Sequence, residues 1–198
     1  MHAPAGSCGR LEVITGPMFS GKSEELMRRV RRARIAGVEA LVISHSLDTR
    51  AELSAVTSHI GVTVPAVPVG DVASLAEAAR AEDVDLVAID EAQFFGPDLV
   101  PAVEKLLSRG IDVIVEGLCV TFDGDPFEPL PTFMALAEDV TKLTAVCTVC
   151  GRDAVFHERI AAAPAGSATD IDASHIGGLD SYVARCREHF GHGTATEP

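Results

Sequence analysis

Short apolar runs alternate along the chain with longer stretches whose apolar residues recur at helical spacing. "LEVIT" (11–15) has the composition of a buried strand, and "SEELMRRVRRARIAG" (23–37) follows as a helix that Gly37 stops. "EALVIS" (39–44) predicts a second strand. "VTVPAVPV" (62–69) is apolar, but its two prolines make it an edge strand at best. "ASLAEAARA" (73–81) is helical, "VDLVAID" (84–90) a strand, "PDLVPAVEKLLSRG" (97–110) mostly helix and "IDVIVEG" (111–117) a strand. "VTKLTAV" (140–146) completes the set. Strands alternating with helices predict an α/β fold, a parallel sheet flanked by helices with ligands at the strands' carboxyl ends. Residues 1–9 read as a loose tail, and 161–178, dominated by Ala, Gly, Ser and Asp, as a mobile loop.

Between the first strand and its helix lies "GPMFSGKS" (16–23). Gly16, Gly21, Lys22 and Ser23 fit G-x-x-x-x-G-K-[ST], a loop whose backbone N–H groups wrap phosphate oxygens. Lys22 would reach the β- and γ-phosphates, and the Ser23 hydroxyl would ligate Mg²⁺. The helix N-terminus behind the loop favours an anion. An ordinary Gly/Ser turn is the bland alternative, and the strand before and helix after argue against it. "LVAIDEAQFF" (86–95) ends a strand in two carboxylates. Beside a phosphate loop, Asp90 would hold Mg²⁺ and Glu91 would handle the nucleophile's proton.

Cys147 and Cys150 form C-x-x-C; Cys186 and His189 form C-x-x-H. Together they offer three thiolates and an imidazole to a tetrahedral Zn²⁺, with no position left for water, so the site would be structural. A redox C-x-x-C is the competing reading, but it leaves Cys186 and His189 unexplained. Cys8 and Cys119 are expected as free thiols. "DGDPFE" (123–128) lacks the later spacing of a calcium loop. His45, His59, His157 and His175 have no metal-ligand spacing, and loop solvation is the expected role for most of them.

The 198 residues suit one main domain plus an appendage, and 47% hydrophobic composition suffices for a core. A net charge of −13 and a pI near 4.8 argue against a nucleic-acid footprint. No apolar run approaches a membrane span, and "MHAPAGSCGR" lacks the apolar core of a secretory signal, so the cytoplasm is the expected location. The arginines of the first helix (28, 29, 31, 32 and 34) are expected on a solvated or subunit-facing surface, with Glu24 and Glu25 four residues ahead of Arg28 and Arg29.

Taken together, "GPMFSGKS", "DEAQFF", "GLCVTFDGDPFEP", "VTKLTAVCTVCG" and "IGGLDSYVARCREHF" resemble the type II thymidine kinases, in that family's order from Leu11 to Phe190. The resemblance implies a P-loop α/β domain over 1–146, a zinc-binding lid over 147–190 with a nucleoside-covering loop, and a tail over 191–198. It implies ATP- and Mg²⁺-dependent phosphorylation of the thymidine 5′-hydroxyl, a homotetramer, and feedback inhibition by dTTP. Gly16, Pro17, Met18, Phe19, Ser20, Gly21, Lys22 and Ser23 match the family's P-loop. Asp90 matches its Mg²⁺-associated acid, Glu91 its catalytic base, and Arg50 an arginine near the transferring phosphate. Met18, Phe94, Leu118, Phe122 and Phe127 match positions walling the base, with His157 at a nearby position often held by Thr. Tyr182 matches a tyrosine that closes over the nucleoside. Cys147, Cys150, Cys186 and His189 match the zinc ligands. Cys119 stands where the family often has Asp, and the loop before "IGG" departs from the family's. Two other classes compete: a nucleic-acid-stimulated ATPase with a zinc ribbon, and a nucleotide-binding regulator without catalysis. The acidic pI disfavours the first, and Glu91 would be superfluous in the second.

Overall fold

The computed structural model describes residues 8–47, 55–57, 63–160 and 181–191, with backbone alone at 55–57 and 63. Arg50, His59, His175, the loop 161–178 and most of the tail lie outside the described residues.

Twelve strands and four α-helices occur among the described residues. In chain order they are β1 (Leu11–Thr15), α1 (Lys22–Ile35), β2 (Ala40–His45), β3 (Ala55–Thr57), β4 (Thr63–Pro65), β5 (Val67–Val69), α2 (Val72–Ala81) and β6 (Leu86–Asp90). Then follow α3 (Leu99–Leu107), β7 (Asp112–Gly117), α4 (Leu130–Leu136), β8 (Asp139–Lys142), β9 (Ala145–Val146), β10 (Asp153–Ala154), β11 (Phe156–Arg159) and β12 (Tyr182–Arg185). The main sheet runs β5-β2-β6-β7-β1-β8, and every pairing in it is parallel. The expected α/β fold is therefore present.

Period-two alternation sorts the strand side chains between two apolar layers. Val13, Ile43, Val87, Ile89, Val113 and Val115 meet α2, α3 and α4 on one face. Ile14, Val42, Ala88 and Ile114 meet Leu26, Met27 and Val30 of α1 on the other. Both faces of the central strands are covered, which is why they read as near-continuous apolar runs.

Local signals explain the helix limits. Acidic Glu24 and Glu25 sit in the first turn of α1, Arg32 and Arg34 in its last, and Gly37 at φ 80° ends it. The Asp71 carboxylate caps α2 by accepting from Ser74 N at 2.7 Å. The arginine face departs from the solvated reading at Arg29. Its guanidinium donates to Glu25 at 2.8 Å, Glu12 at 2.5 Å, Asp139 at 3.2 Å and Thr141 at 2.7 Å, tying α1 to β1 and β8. Arg28 pairs with Glu25 rather than Glu24.

Two expected elements split, and others were not anticipated. "VTVPAVPV" becomes β4, antiparallel to β3, and β5 at the sheet edge, where Pro68 lacks no needed donor. "VTKLTAV" divides into β8, in the main sheet, and β9, which pairs antiparallel with β10. α4 was not anticipated; it begins at Leu130 with a proline in its first turn. β11 and β12 form a third antiparallel ladder, and Ala145, Cys147, Ala154, Ala184 and Cys186 make a small core of their own.

Candidate active site

The parallel order places the carboxyl ends of β1, β7 and β6 side by side, with β7 in the middle. From β1 the chain enters the 16–21 loop. Gly16 has φ 155°, and a Cβ there would lie 2.6 Å from the Leu143 carbonyl oxygen and 2.7 Å from Ser20 Oγ. At Gly21 conformation alone demands glycine: φ is 84°, at the N-cap of α1. Ser20 Oγ donates to the Pro17 carbonyl at 2.8 Å, closing the loop on itself. Lys22 is buried; its Nζ donates to the same carbonyl at 3.3 Å and lies 3.7 Å from Glu116 Oε1. Ser23 follows at the start of α1, half-buried.

β6 ends at Asp90, and Asp90 and Glu91 are both buried. Glu91 adopts a left-handed conformation (φ 51°, ψ 46°) and opens a 3₁₀ turn over Ala92–Phe95. Three hydrogen bonds fix this corner. Glu91 N donates to Glu116 Oε2 at 3.1 Å. Gln93 Nε2 donates to Glu91 Oε2 at 2.5 Å. Leu118 N donates to Gln93 Oε1 at 3.0 Å. Gly117 makes room for this: a Cβ there would stand 2.3 Å from Gln93 Oε1.

The apolar residues expected around a base divide. Met18, Leu118, Phe127 and Tyr182 form one buried cluster, with Phe19 and Phe122 against it. His157, buried on β11, meets Tyr182 edge-on at 5.8 Å. Phe94 instead faces His45, with ring centroids 5.8 Å apart. Loop solvation therefore fails for His45 and His157. His45 ends β2, stacks edge-on against Phe95 at 4.6 Å, and accepts from Leu47 N through Nδ1. Burial pushes the His45 pKa down, against smaller opposing effects of the Gly70 backbone and Asp71. Cys119 is a half-buried free thiol packed on the α2–α4 face of the core; Cys8 is free and exposed.

Cys147, Cys150, Cys186 and His189 bring their donor atoms within 4.8 Å of one another. Cys150 Sγ lies 3.7 Å from Cys186 Sγ, and His189 Nδ1 lies 3.7 Å from Cys147 Sγ and 3.2 Å from Cys186 Sγ. A tetrahedral Zn²⁺ with ordinary Zn–S and Zn–N lengths separates its donors by about 3.5–3.8 Å. The residues thus fit zinc in both chemistry and spacing. Burial pushes the Cys147 thiol up, yet the backbone N–H groups of Cys186, Val149 and Cys150 and the His189 ring together bring it down to about 5. Arg152, 3.4 Å from Cys150 Sγ, lowers that thiol as well. The hydroxyl of Ser23 and the carboxylate of Asp90, the donors expected for magnesium, are hard oxygen ligands of the kind that ion takes.

Sequence reasoning passed over Glu116, Gln93 and Gly117. The signal at Glu116 was a lone acid ending the otherwise apolar "VIVEG" of a central strand. Gln93 lay inside "DEAQFF" but was given no role.

The thymidine kinase family model matches residues 9–190. A thymidine kinase of Coprothermobacter proteolyticus is 50% identical over 91% of this chain and 90% of its own length. One from Deinococcus deserti is 49% identical over 92% of this chain and 95% of its own. One from Bdellovibrio bacteriovorus is 43% identical over 92% of this chain and 85% of its own.

Proposed function

The chain belongs to the thymidine kinase family, as an ATP-dependent kinase, and on that premise we propose that it transfers the γ-phosphate of ATP to the 5′-hydroxyl of thymidine, with deoxyuridine as a weaker substrate. The observation that carries the reading is the convergence of Lys22, Glu116 and Glu91 at adjoining strand ends, the lysine of a phosphate loop linked through one acid to a candidate base.

In this reading the 16–21 backbone cradles the phosphates and Lys22 neutralises charge on the β- and γ-oxygens. Glu91 accepts the 5′-hydroxyl proton as that oxygen bonds to the γ-phosphorus; the bond to the bridging oxygen breaks and ADP leaves. Gln93 holds the Glu91 carboxylate in place while it does so. Mg²⁺, held through Ser23 and Asp90, supplies charge neutralisation across the phosphates when bound. By the family resemblance alone, Arg50 would add a further cation near the transferring phosphate. Met18, Leu118, Phe122, Phe127 and Tyr182 wall the base, with Phe94 and His157 at its margin.

In the same reading zinc belongs to a lid domain over 147–190, distinct from a phosphate-loop domain over 1–146, with a tail over 191–198. The lid holds Zn²⁺ through Cys147, Cys150, Cys186 and His189 as structure, since four protein ligands leave no water. No helix among the described residues is long and apolar enough to cross a membrane. The cytoplasm, where thiols stay reduced, suits these free cysteines. A homotetramer inhibited by dTTP completes the proposal, on the family resemblance alone.

The test follows label from [γ-³²P]ATP with thymidine or a polynucleotide offered, in wild type, Lys22→Ala and Glu91→Gln. Labelled dTMP should form in wild type. Losing the lysine should cost several orders of magnitude, and losing the base roughly 10²–10⁴ in kcat. Label that stays with ATP or appears only as inorganic phosphate refutes the assignment.

A further inference from the structure

Glu116 is fully buried, on a central strand whose other inward positions are Val and Ile. A carboxylate out of water is costly unless it is paired, and an apolar residue there would pack at no such cost. Its two oxygens have different partners. Oε2 accepts the backbone N–H of Glu91 at 3.1 Å, at the residue held in a left-handed conformation. Oε1 makes no hydrogen bond among the described residues and faces the Lys22 ammonium at 3.7 Å. Alternation explains the aim: Ile114 packs on the α1 face, and Glu116, two residues on, shares that face where α1 begins with Lys22. Its strand lies between β1, which leads into the phosphate loop, and β6, which ends at Asp90.

We infer that Glu116 is a positioning residue that sets the Lys22 ammonium and the Glu91 backbone from one rigid side chain. This rests on the site reading above. At 3.7 Å the link to Lys22 is an ion pair without a hydrogen bond, so the ammonium keeps its N–H donors for the Pro17 carbonyl and for phosphate oxygens. Glu116 acts as a rear anchor that limits where the cation can go. Through Oε2 it also holds the turn that carries Glu91, so lysine and base are fixed relative to one another.

The experiment measures kcat and KM for ATP at saturating thymidine in Glu116→Gln and Glu116→Ala, each also in a Glu91→Gln background. Glutamine keeps an oxygen for the Glu91 N–H and removes the charge. It should lower kcat about tenfold with KM for ATP no higher than wild type, because a charge that repels phosphate has gone while Lys22 has lost its anchor. Alanine removes both links and should lower kcat about a hundredfold. In the Glu91→Gln background, alanine should cost no more than glutamine, since the base it positioned is absent. Wild-type kcat in both single variants overturns the inference, as does an alanine loss undiminished in that background or a rise in KM with kcat intact. Wild-type rates in Lys22→Ala and Glu91→Gln would instead overturn the underlying site reading. Should the substituted proteins fail to fold, the wild type still decides. Adding a non-hydrolysable ATP analogue with Mg²⁺ should shift the ¹³C carboxyl resonance of Glu116 and the amide resonance of Glu91; unmoved resonances overturn the link.

Discussion

Gly117→Ala tests the corner that holds the candidate base. The new Cβ would sit 2.3 Å from Gln93 Oε1, 3.0 Å from Leu130 Cδ2 and 3.3 Å from Ala92 N. Leucine's methyl can turn aside; the Gln93 amide can escape only by leaving its place. It then releases two bonds, its donation to Glu91 Oε2 at 2.5 Å and its acceptance from Leu118 N at 3.0 Å. Stranding a buried N–H, losing a charge-assisted bond and overpacking the site together come to about 3 kcal/mol. For a protein of this size that lowers Tm by about 6–12 °C. A base free to turn should lose about 10–100-fold in kcat. The assays are a thermal melt and steady-state turnover on Gly117→Ala, Gln93→Ala and the double variant. If the glycine acts through Gln93, the double variant turns over like Gln93→Ala alone, because no amide remains to displace. Losses that multiply in the double variant, or a Gly117→Ala protein with wild-type Tm and kcat, refute the argument.

Purified protein should carry close to one zinc per chain, and Cys147→Ser or Cys186→Ser should release it and destabilise the small β module, read by metal analysis and limited proteolysis. The Glu25 carboxyl is held down to about 2, from an ordinary 4.5, chiefly by its hydrogen bond to Arg28, with burial opposing and Arg29 assisting. Its folded pKa is depressed, so its stabilisation is present above about pH 4.5 and lost as pH falls toward 2; the denaturation difference between wild type and Glu25→Gln should be present at pH 6 and vanish near pH 2. Comparing kcat/KM across nucleosides should rank thymidine above deoxyuridine by the roughly 10–200-fold that one methyl gives an apolar pocket, with deoxycytidine nearly excluded because its donor meets groups placed for an acceptor.

The sheet was legible because the central strands are covered on both faces and so read as near-continuous apolar runs; "LEVIT", "VDLVAID" and "IDVIVEG" lie within a few residues of β1, β6 and β7. The phosphate loop and the Cys/His pairs were legible because their chemistry depends on fixed spacing. What escaped depends on distance across the fold. "VTKLTAV" is one apolar run, yet its first half pairs with β1 and its second with β10, and nothing local marks the change. α4 is only two turns long and gains its burial from Leu130 and Phe133 against the sheet. His45 gave no sign of being buried, since its partners Phe94 and Phe95 lie some fifty residues away. Glu116 could have been suspected as an acid in a buried strand; that it faces Lys22 required the strand order, because β7 adjoins β1 in the sheet although β2, β5 and β6 come between them in the chain.

Backbone strain points to the same corner. Among the described residues only Phe19 and Glu91 have positive φ without being glycine, at 67° and 51°. Each such conformation costs on the order of 1–3 kcal/mol and persists only where the surroundings over-determine it. At Glu91 the restraints are polar, the Glu116 acceptor on its N–H and the Gln93 donor on its carboxylate. At Phe19 they are apolar, since its half-buried ring packs against both the Met18–Tyr182 cluster and the small core around Cys147 and Cys186. Relaxing either backbone would move something else: the candidate base in one case, the contact between phosphate loop and cysteine module in the other. A phosphate loop whose tip leans on the module bearing Tyr182 is shaped by whatever orders that module. A metal held by Cys147, Cys150, Cys186 and His189 would therefore act on turnover through Phe19, by fixing the surface against which the loop's strained residue rests.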